Sequence, residues 1–462
     1  MRNMFENTKE KILSVQGRLI KNGIAITVEG RDFLVEYPEK IWKVVPIDLK
    51  QLILDNLTFG DTHFLPVTLG YTKIKYNTKF PLVESFLFRN QLMDMTKAEL
   101  WDRAPVLTYL KKFYNLSFDF KRGAAVFPEG IFSTKKNSQP VAIVPFSFGK
   151  ESLVTVAMCL EMGIKPVLVY SQEPSMTHEE DYKRRKLKEF GEKFKVDTFF
   201  VKNGPGLFRY DEAFKKKPGT EVGWASQTTL IAIQVLPFVY AYNADYIFFG
   251  SEYFVNEYHY RDGWKVFESY DQCSFFTLHQ DAMIRMLTEG RCQVKASLEP
   301  IDQINIFDIL HHRYPEFGQY QFSCTAESPL FKHSQWCHKC YKCSRMYLFA
   351  RTIGIDPASI GFKSDLLNEP GLFNNYFGRE IKSGNKYELD FCFYTLWKRG
   401  DNSLYVKKFA KTRLKQMMSW KKYYQHFTSI RPWLNLPEKY DKKMLKIFQE
   451  ELDHLKEMLP KS

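Results

Sequence analysis

No run of this chain is both long and purely apolar. Its most apolar stretch, residues 230–249, is broken by Gln234, Pro237, Asn243 and Asp245, whereas a bilayer span needs about 20 consecutive apolar residues. The first ten residues include Arg2, Glu6, Lys9 and Glu10 and hold no apolar core of the kind a secretory leader carries. Cytoplasmic residence with no membrane partner is the expectation. Low-complexity tracts and internal repeats are also lacking, which excludes solenoids and other arrays built on a fixed sequence period. Cysteine is sparse, 8 in 462 residues, too few for a disulfide framework and better read as thiols or metal ligands. A Walker P-loop is missing as well. The Gly149-Lys150 pair is followed by Glu151 rather than Ser or Thr, and the earlier glycine of that motif is absent.

What remains is the composition of an ordinary folded protein, with 44% hydrophobic, 26% charged and 16% aromatic residues, in a chain long enough for two or three domains. Its net charge of +13 is uneven. From Lys398 to the last residue, Ser462, sixteen Lys/Arg stand against seven Asp/Glu, and Trp420, Tyr423, Tyr424 and Trp433 are interleaved with those cations. A surface of that composition can follow a phosphate backbone and stack on bases, making nucleic acid a candidate partner. Equally, it describes solvated helices whose aromatics pack on the body of the protein.

Residues 1–130 read as a strand-rich domain, with hairpin signals at Asn22-Gly23 and Glu29-Gly30 and a helix from about residue 97 to 113. Residues 140–365 alternate short apolar runs (141–146, 166–170, 197–201, 245–249) with amphipathic segments (179–194, 225–242). This predicts an α/β fold, a parallel sheet with helices on both faces. Residues 380–462 read as a basic, mainly helical extension. Ligands in such sheets bind beyond the carboxyl ends of strands. Three polar segments are predicted to converge there: Ser147 to Ser152, Ser171-Gln172-Glu173, and the stretch with Gly250, Ser251, Glu252, Asn256 and Glu257. Arg261, Lys265 and Arg285 are further candidates for holding anionic groups.

The first segment, Ser147-Phe148-Gly149-Lys150-Glu151-Ser152, sits between an apolar strand and a helix. Glycine lets backbone approach an anion, the serines and lysine donate, and the helix start adds unpaired N–H groups and the positive end of its dipole. A nucleotide polyphosphate is the ligand this arrangement suits, although such a loop also serves as a plain turn and helix cap. The second signal is Cys337-His338-Lys339-Cys340-Tyr341-Lys342-Cys343, with Cys324 upstream. Four thiolates at such spacing can close a tetrahedral Zn²⁺ shell and contribute on the order of 10 kcal/mol to local folding. An iron–sulfur cluster or a chance group of buried thiols is the alternative, and His338 competes with Cys324 as fourth ligand. Cys159, Cys273, Cys292 and Cys392 read as isolated core residues.

Together, the loop and the cysteines resemble the PP-loop ATP pyrophosphatases, in particular 7-cyano-7-deazaguanine synthase, whose Ser-Gly-Gly-x-Asp-Ser loop and cysteine cluster they parallel over about residues 140–365. Arg345 follows the cluster as a basic residue often does in that family. In length and arrangement the chain is closer to the UDP-N-acetylmuramoyl-L-alanyl-L-glutamate epimerase family. Phe322-Ser323-Cys324, Trp336-Cys337 to Cys343, and Gly250-Ser251-Glu252 with Asn256 match its motifs. Phe148 stands where the loop usually has Gly, and Glu151 where it has Asp. The resemblance implies a ligase-type enzyme that adenylates a small-molecule carboxylate, releasing AMP and pyrophosphate. Ser147, Phe148, Gly149, Lys150, Glu151, Ser152, Ser251 and Glu252 would bind ATP and Mg²⁺, with Lys150, Glu151 and Ser152 catalytic and Cys324, Cys337, Cys340 and Cys343 on Zn²⁺. An RNA-modifying or nucleobase-conjugating enzyme of that superfamily, or an inactive zinc-stabilised ATP-binding protein, is the alternative.

Overall fold

The computed structural model describes residues 10–97, 105–121, 123–124, 127–174, 177–209, 213–214, 221–324, 335–378, 383–417 and 419–460. The predicted helix over 97–113 is found in part, as Val106–Tyr114, and residues 98–104 lie outside the described residues.

The chain folds as α/β around one mixed, mostly parallel sheet. Its strands are β1 (Ile12–Ile20), β2 (Gly23–Val28), β3 (Arg31–Glu36), β4 (Lys73–Tyr76), β5 (Ser117–Phe120), β6 (Val141–Pro145), β7 (Lys165–Ser171), β8 (Asp197–Asn203), β9 (Tyr246–Glu252) and β12 (Gln293–Leu298), while β10 (Tyr258–Arg261) and β11 (Trp264–Phe267) form a separate hairpin. The order is β12-β9-β6-β7-β8-β3-β2-β1-β4-β5. The five strands from β12 to β8 are all parallel. The β1–β2–β3 meander then joins antiparallel to β8 through Val35↔Asn203 and Glu36↔Lys202, so the N-terminal strands extend the central sheet.

Alternation of side chains assigns the two faces. Ala142, Val144, Leu168 and Tyr170 enter one core, while Val141, Ile143, Val167 and Val169 enter the other. The first core packs under helices Lys150–Glu161, Gln303–His312, Tyr341–Thr352, Ser383–Lys398 and Asp441–Met458. The second is covered by Ile47–Thr62, Gln227–Gln234, Leu236–Tyr242 and Ser274–Leu287. The amphipathic stretch expected over 225–242 is two helices, because Pro237 starts a new one directly after Val235. One stretch, Val222–Tyr242, is long and apolar enough by composition to cross a membrane, and 83% of that window is buried inside the fold.

The N-terminal segment carries helices as well as strands, above all Ile47–Thr62. Its Glu29-Gly30 turn has positive φ at both residues, 50° and 74°, as a tight two-residue hairpin between Val28 and Arg31 requires.

Candidate functional site

Helix Lys150–Glu161 begins where β6 leaves the sheet. Gly149 is its N-cap in an extended conformation, and no side chain caps it. The loop is braced internally: Ser152 Oγ donates to the Gly149 carbonyl (3.1 Å) and accepts from Ser147 N (3.3 Å), and Ser147 Oγ accepts from Gly149 N (3.3 Å). The first-turn N–H groups therefore stand at the positive end of the helix dipole with no side-chain acceptor at the cap.

Phe148 has φ of 62°, a left-handed conformation that costs a residue with a Cβ about 1–2 kcal/mol. Its ring is 1% exposed, edge-on to Phe146 and Phe190 with centroids 4.6 and 6.1 Å away. Burying such a ring returns about 1.5–3 kcal/mol, enough to hold the turn. The Phe148 carbonyl accepts from Phe322 N at 2.8 Å, which ties the loop to the segment that carries Cys324.

Lys150 is buried and ion-paired with Glu151. Gly250 lies against the same helix start: a Cβ there would fall 2.7 Å from Glu151 Cβ and 3.0 Å from its carbonyl. The absent side chain lets the end of β9 touch the loop, and places Ser251 and Glu252, both buried, beside it. Burial and the neighbouring Glu151 push the Glu252 carboxyl up to about 7, against the opposing pull of Lys150 and Arg345. Burial acts on Glu151 too, but Lys150, joined by Lys342, outweighs it and leaves that carboxyl below its ordinary value.

The third polar segment is joined through charge. Glu173 pairs with Arg209 at 2.7 Å, and Ser171 Oγ donates to Gln234. Glu173 also acts on Lys183, whose ammonium lies 5.1 Å from the Phe322 ring centre. Burial, helped by Lys342, lowers Lys183 to about 7. The loop and the end of β9 thus meet directly, while β7 runs beside β6, its Val169 carbonyl accepting from Phe146 N at 2.9 Å just before the loop.

The four cysteines form one cluster, their sulfurs all within 4.8 Å of one another. Cys324 and Cys340 sulfurs are 3.6 Å apart, Cys337 and Cys343 3.7 Å. Cys337 Sγ accepts from Lys339 N and Cys340 N (3.4 and 3.3 Å), and Cys340 Sγ from Cys343 N (3.4 Å). Such N–H···S bonds orient thiolates, so the donor set fits a tetrahedral thiophilic ion. His338 is turned away, its Nε2 accepting from Lys363 N at 2.9 Å. Cys159, Cys273, Cys292 and Cys392 are buried and separate from the cluster.

Other candidates fall elsewhere. Asn256 Oδ1 accepts from Ser274 N at 2.7 Å, at the start of helix Ser274–Leu287. Arg285 pairs with Asp281 (2.9 Å), Arg261 faces Asp262 (3.9 Å), and Lys265 stacks on Tyr258. In the C-terminal segment, Tyr423 is buried, Trp420 lies between Phe391 and Tyr394 at 5.4 and 4.5 Å, and Tyr424 packs on the same core. Of the four aromatics read as base-stacking residues, Trp433 alone is exposed.

Sequence reasoning missed Lys183, Lys342 and Glu388. Lys342 and Arg345 are three apart on the helix that follows Cys340, a spacing that puts both on one face and was open to detection. Glu388 carried no local signal. It comes from helix Ser383–Lys398, accepts from Ile304 N at 2.8 Å, and its carboxyl is raised to about 8 by burial, opposed by Arg345 and Lys150. Compared with known proteins, the chain matches no family model and no curated sequence.

Proposed function

We propose that the protein is an adenylating enzyme of the PP-loop type, which consumes ATP, forms an acyl-adenylate on a small-molecule carboxylate and releases pyrophosphate. The observation that carries this reading is the uncapped start of helix Lys150–Glu161 at the carboxyl end of a parallel strand, with buried Lys150 on it and Glu252 held against it by Gly250. Backbone N–H groups of the first turn, with Ser147 and Ser152, hold the β- and γ-phosphates, and Lys150 stabilises charge that grows as the α–β bond breaks. The substrate carboxylate oxygen would attack the α-phosphorus, with pyrophosphate as the leaving group held by the loop. Glu151 and Glu252 would hold Mg²⁺, which when bound neutralises phosphate charge. Lys150 is ion-paired with Glu151, and phosphate oxygens would compete with that carboxylate for the ammonium.

The cysteine cluster has a supporting role. Cys324, Cys337, Cys340 and Cys343 would hold zinc, and with it the segment whose Phe322 N–H binds the Phe148 carbonyl. Incubation with α-labelled ATP, Mg²⁺ and a panel of carboxylates is expected to yield AMP and pyrophosphate, with Lys150→Ala lowering the rate by about 10²–10³, as for loss of an oxyanion donor. Release of ADP and phosphate would rule the mechanism out.

A further inference from the structure

Away from the loop, helices Gln303–His312 and Asp441–Met458 meet across a group of imidazoles and carboxylates. His312 and Asp308 are four apart on the first helix, Glu451 and His454 three apart on the second, so each pair shares a helix face. His312 Nδ1 lies 2.8 Å from Glu451 Oε2, and His454 Nδ1 lies 3.3 Å from Asp308 Oδ2. The two imidazole rings are stacked, centroids 3.5 Å apart and planes within 6°. One ligand atom from each of His312, Glu451 and His454 lies within 4.8 Å of the others.

We propose that these three residues form a second metal site, for a divalent first-row transition ion that accepts nitrogen and oxygen ligands, with Asp308 orienting His454. Two features support a site over two separate ion pairs. Glu451 is preset: Arg313 binds its other oxygen at 3.2 Å while also pairing with Glu161 and Glu450, leaving Oε2 toward the histidines. Finally, a carboxylate behind a ligating imidazole is the usual support for a metal-bound histidine, and Asp308, 2% exposed, takes that position. Ligand atoms around an ion with bonds of about 2 Å sit roughly 3.3 Å apart, so coordination draws the group inward and fans the stacked rings apart by rotation about χ2. The donor set differs from the cysteine cluster in softness. Thiolates retain zinc, while imidazole and carboxylate accept Ni²⁺, Co²⁺ or Zn²⁺. The ion would clasp the last helix onto the body of the protein.

The test uses the full chain with the cysteine cluster first loaded with zinc, dialysed against Ni²⁺ alone. Wild type is expected to take up one nickel ion beyond the zinc. His312→Ala and His454→Ala should lose this uptake, and Asp308→Asn should weaken it about 10–100-fold. Co²⁺ at the same site should show d–d absorption without sulfur-to-cobalt charge transfer. Nickel should also raise the thermal midpoint of wild type and not that of His312→Ala, whose side chain is 46% exposed and carries little packing. No uptake beyond the zinc, or uptake unchanged in the His312→Ala/His454→Ala double variant, would overturn the site and leave two histidine–carboxylate ion pairs.

Discussion

At Phe148 two local forces oppose each other. The backbone sits at φ 62°, where glycine is at ease and phenylalanine is not, yet the ring fills a space between Phe146 and Phe190. Removing a buried phenyl ring costs about 3–5 kcal/mol, and relieving the left-handed conformation returns about 1–2 kcal/mol. Phe148→Gly is therefore expected to destabilise by about 1–4 kcal/mol, and Phe148→Ala, which loses the ring and keeps the Cβ, by about 1–2 kcal/mol more than Phe148→Gly. Urea denaturation of the two variants gives the order. Alanine as the milder substitution would show that the positive φ is not what limits this position. In this chain the aromatic cluster of Phe146, Phe148 and Phe190 shapes the turn.

Among the elements, the contact between the end of β9 and the start of helix Lys150–Glu161 depends on Gly250. A methyl group there meets backbone of Glu151 at 3.0 Å as well as its Cβ at 2.7 Å, and backbone at a helix start cannot swing aside as a long side chain can. Gly250→Ala should cost about 1–3 kcal/mol by overpacking and weaken the ATP binding proposed for the loop, read by calorimetric titration alongside denaturation. Unchanged stability and affinity would show that β9 can retreat without consequence. The strands here were legible because parallel strands covered on both faces read as near-continuous apolar runs, as 141–146 and 245–249 do. Helix Ile47–Thr62 was not, since Asp55, Asn56, Thr58, Asp61 and Thr62 are buried beside Leu49, Ile53 and Leu57, and a helix enclosed on most sides has no apolar stripe to betray it. The loop and the cysteines were visible as motifs. Lys183 and Glu388 were not, because their place near the loop comes from tertiary packing of distant helices and no local spacing encodes it.

For the whole molecule, the buried charges around the loop form one network drawn from distant parts of the chain. Lys150 and Glu151 come from the loop, Glu252 from β9, Lys342 and Arg345 from the cysteine-bearing helix, and Glu388 from the C-terminal segment, whose helices share a core with the central sheet. Burial raises several carboxyls in the fold: Asp61, Glu180, Glu252 and Asp271 to about 7, and Glu388 to about 8. A carboxyl whose folded pKa lies above its unfolded one binds more protons folded than unfolded, so its contribution is complete below the unfolded pKa and is lost as pH rises through the folded value. His63 and His311, lowered by burial to about 4, act oppositely, but their gain with rising pH fades as the unfolded imidazole titrates through about pH 6.5, so these two groups offset only part of the loss from the five carboxyls. Lys183 adds stability only as pH climbs from about 7 toward its ordinary value. The ligand-free protein should accordingly lose stability between pH 6 and pH 7.5. In Glu388→Gln, which keeps an acceptor for Ile304 N, that loss should be shallower by up to about 1.4 kcal/mol per pH unit, the limit for one proton. Denaturant midpoints of both proteins at the two pH values measure it, and parallel slopes would mean that Glu388 is ionised throughout and that its burial is compensated by Arg345 and Lys150.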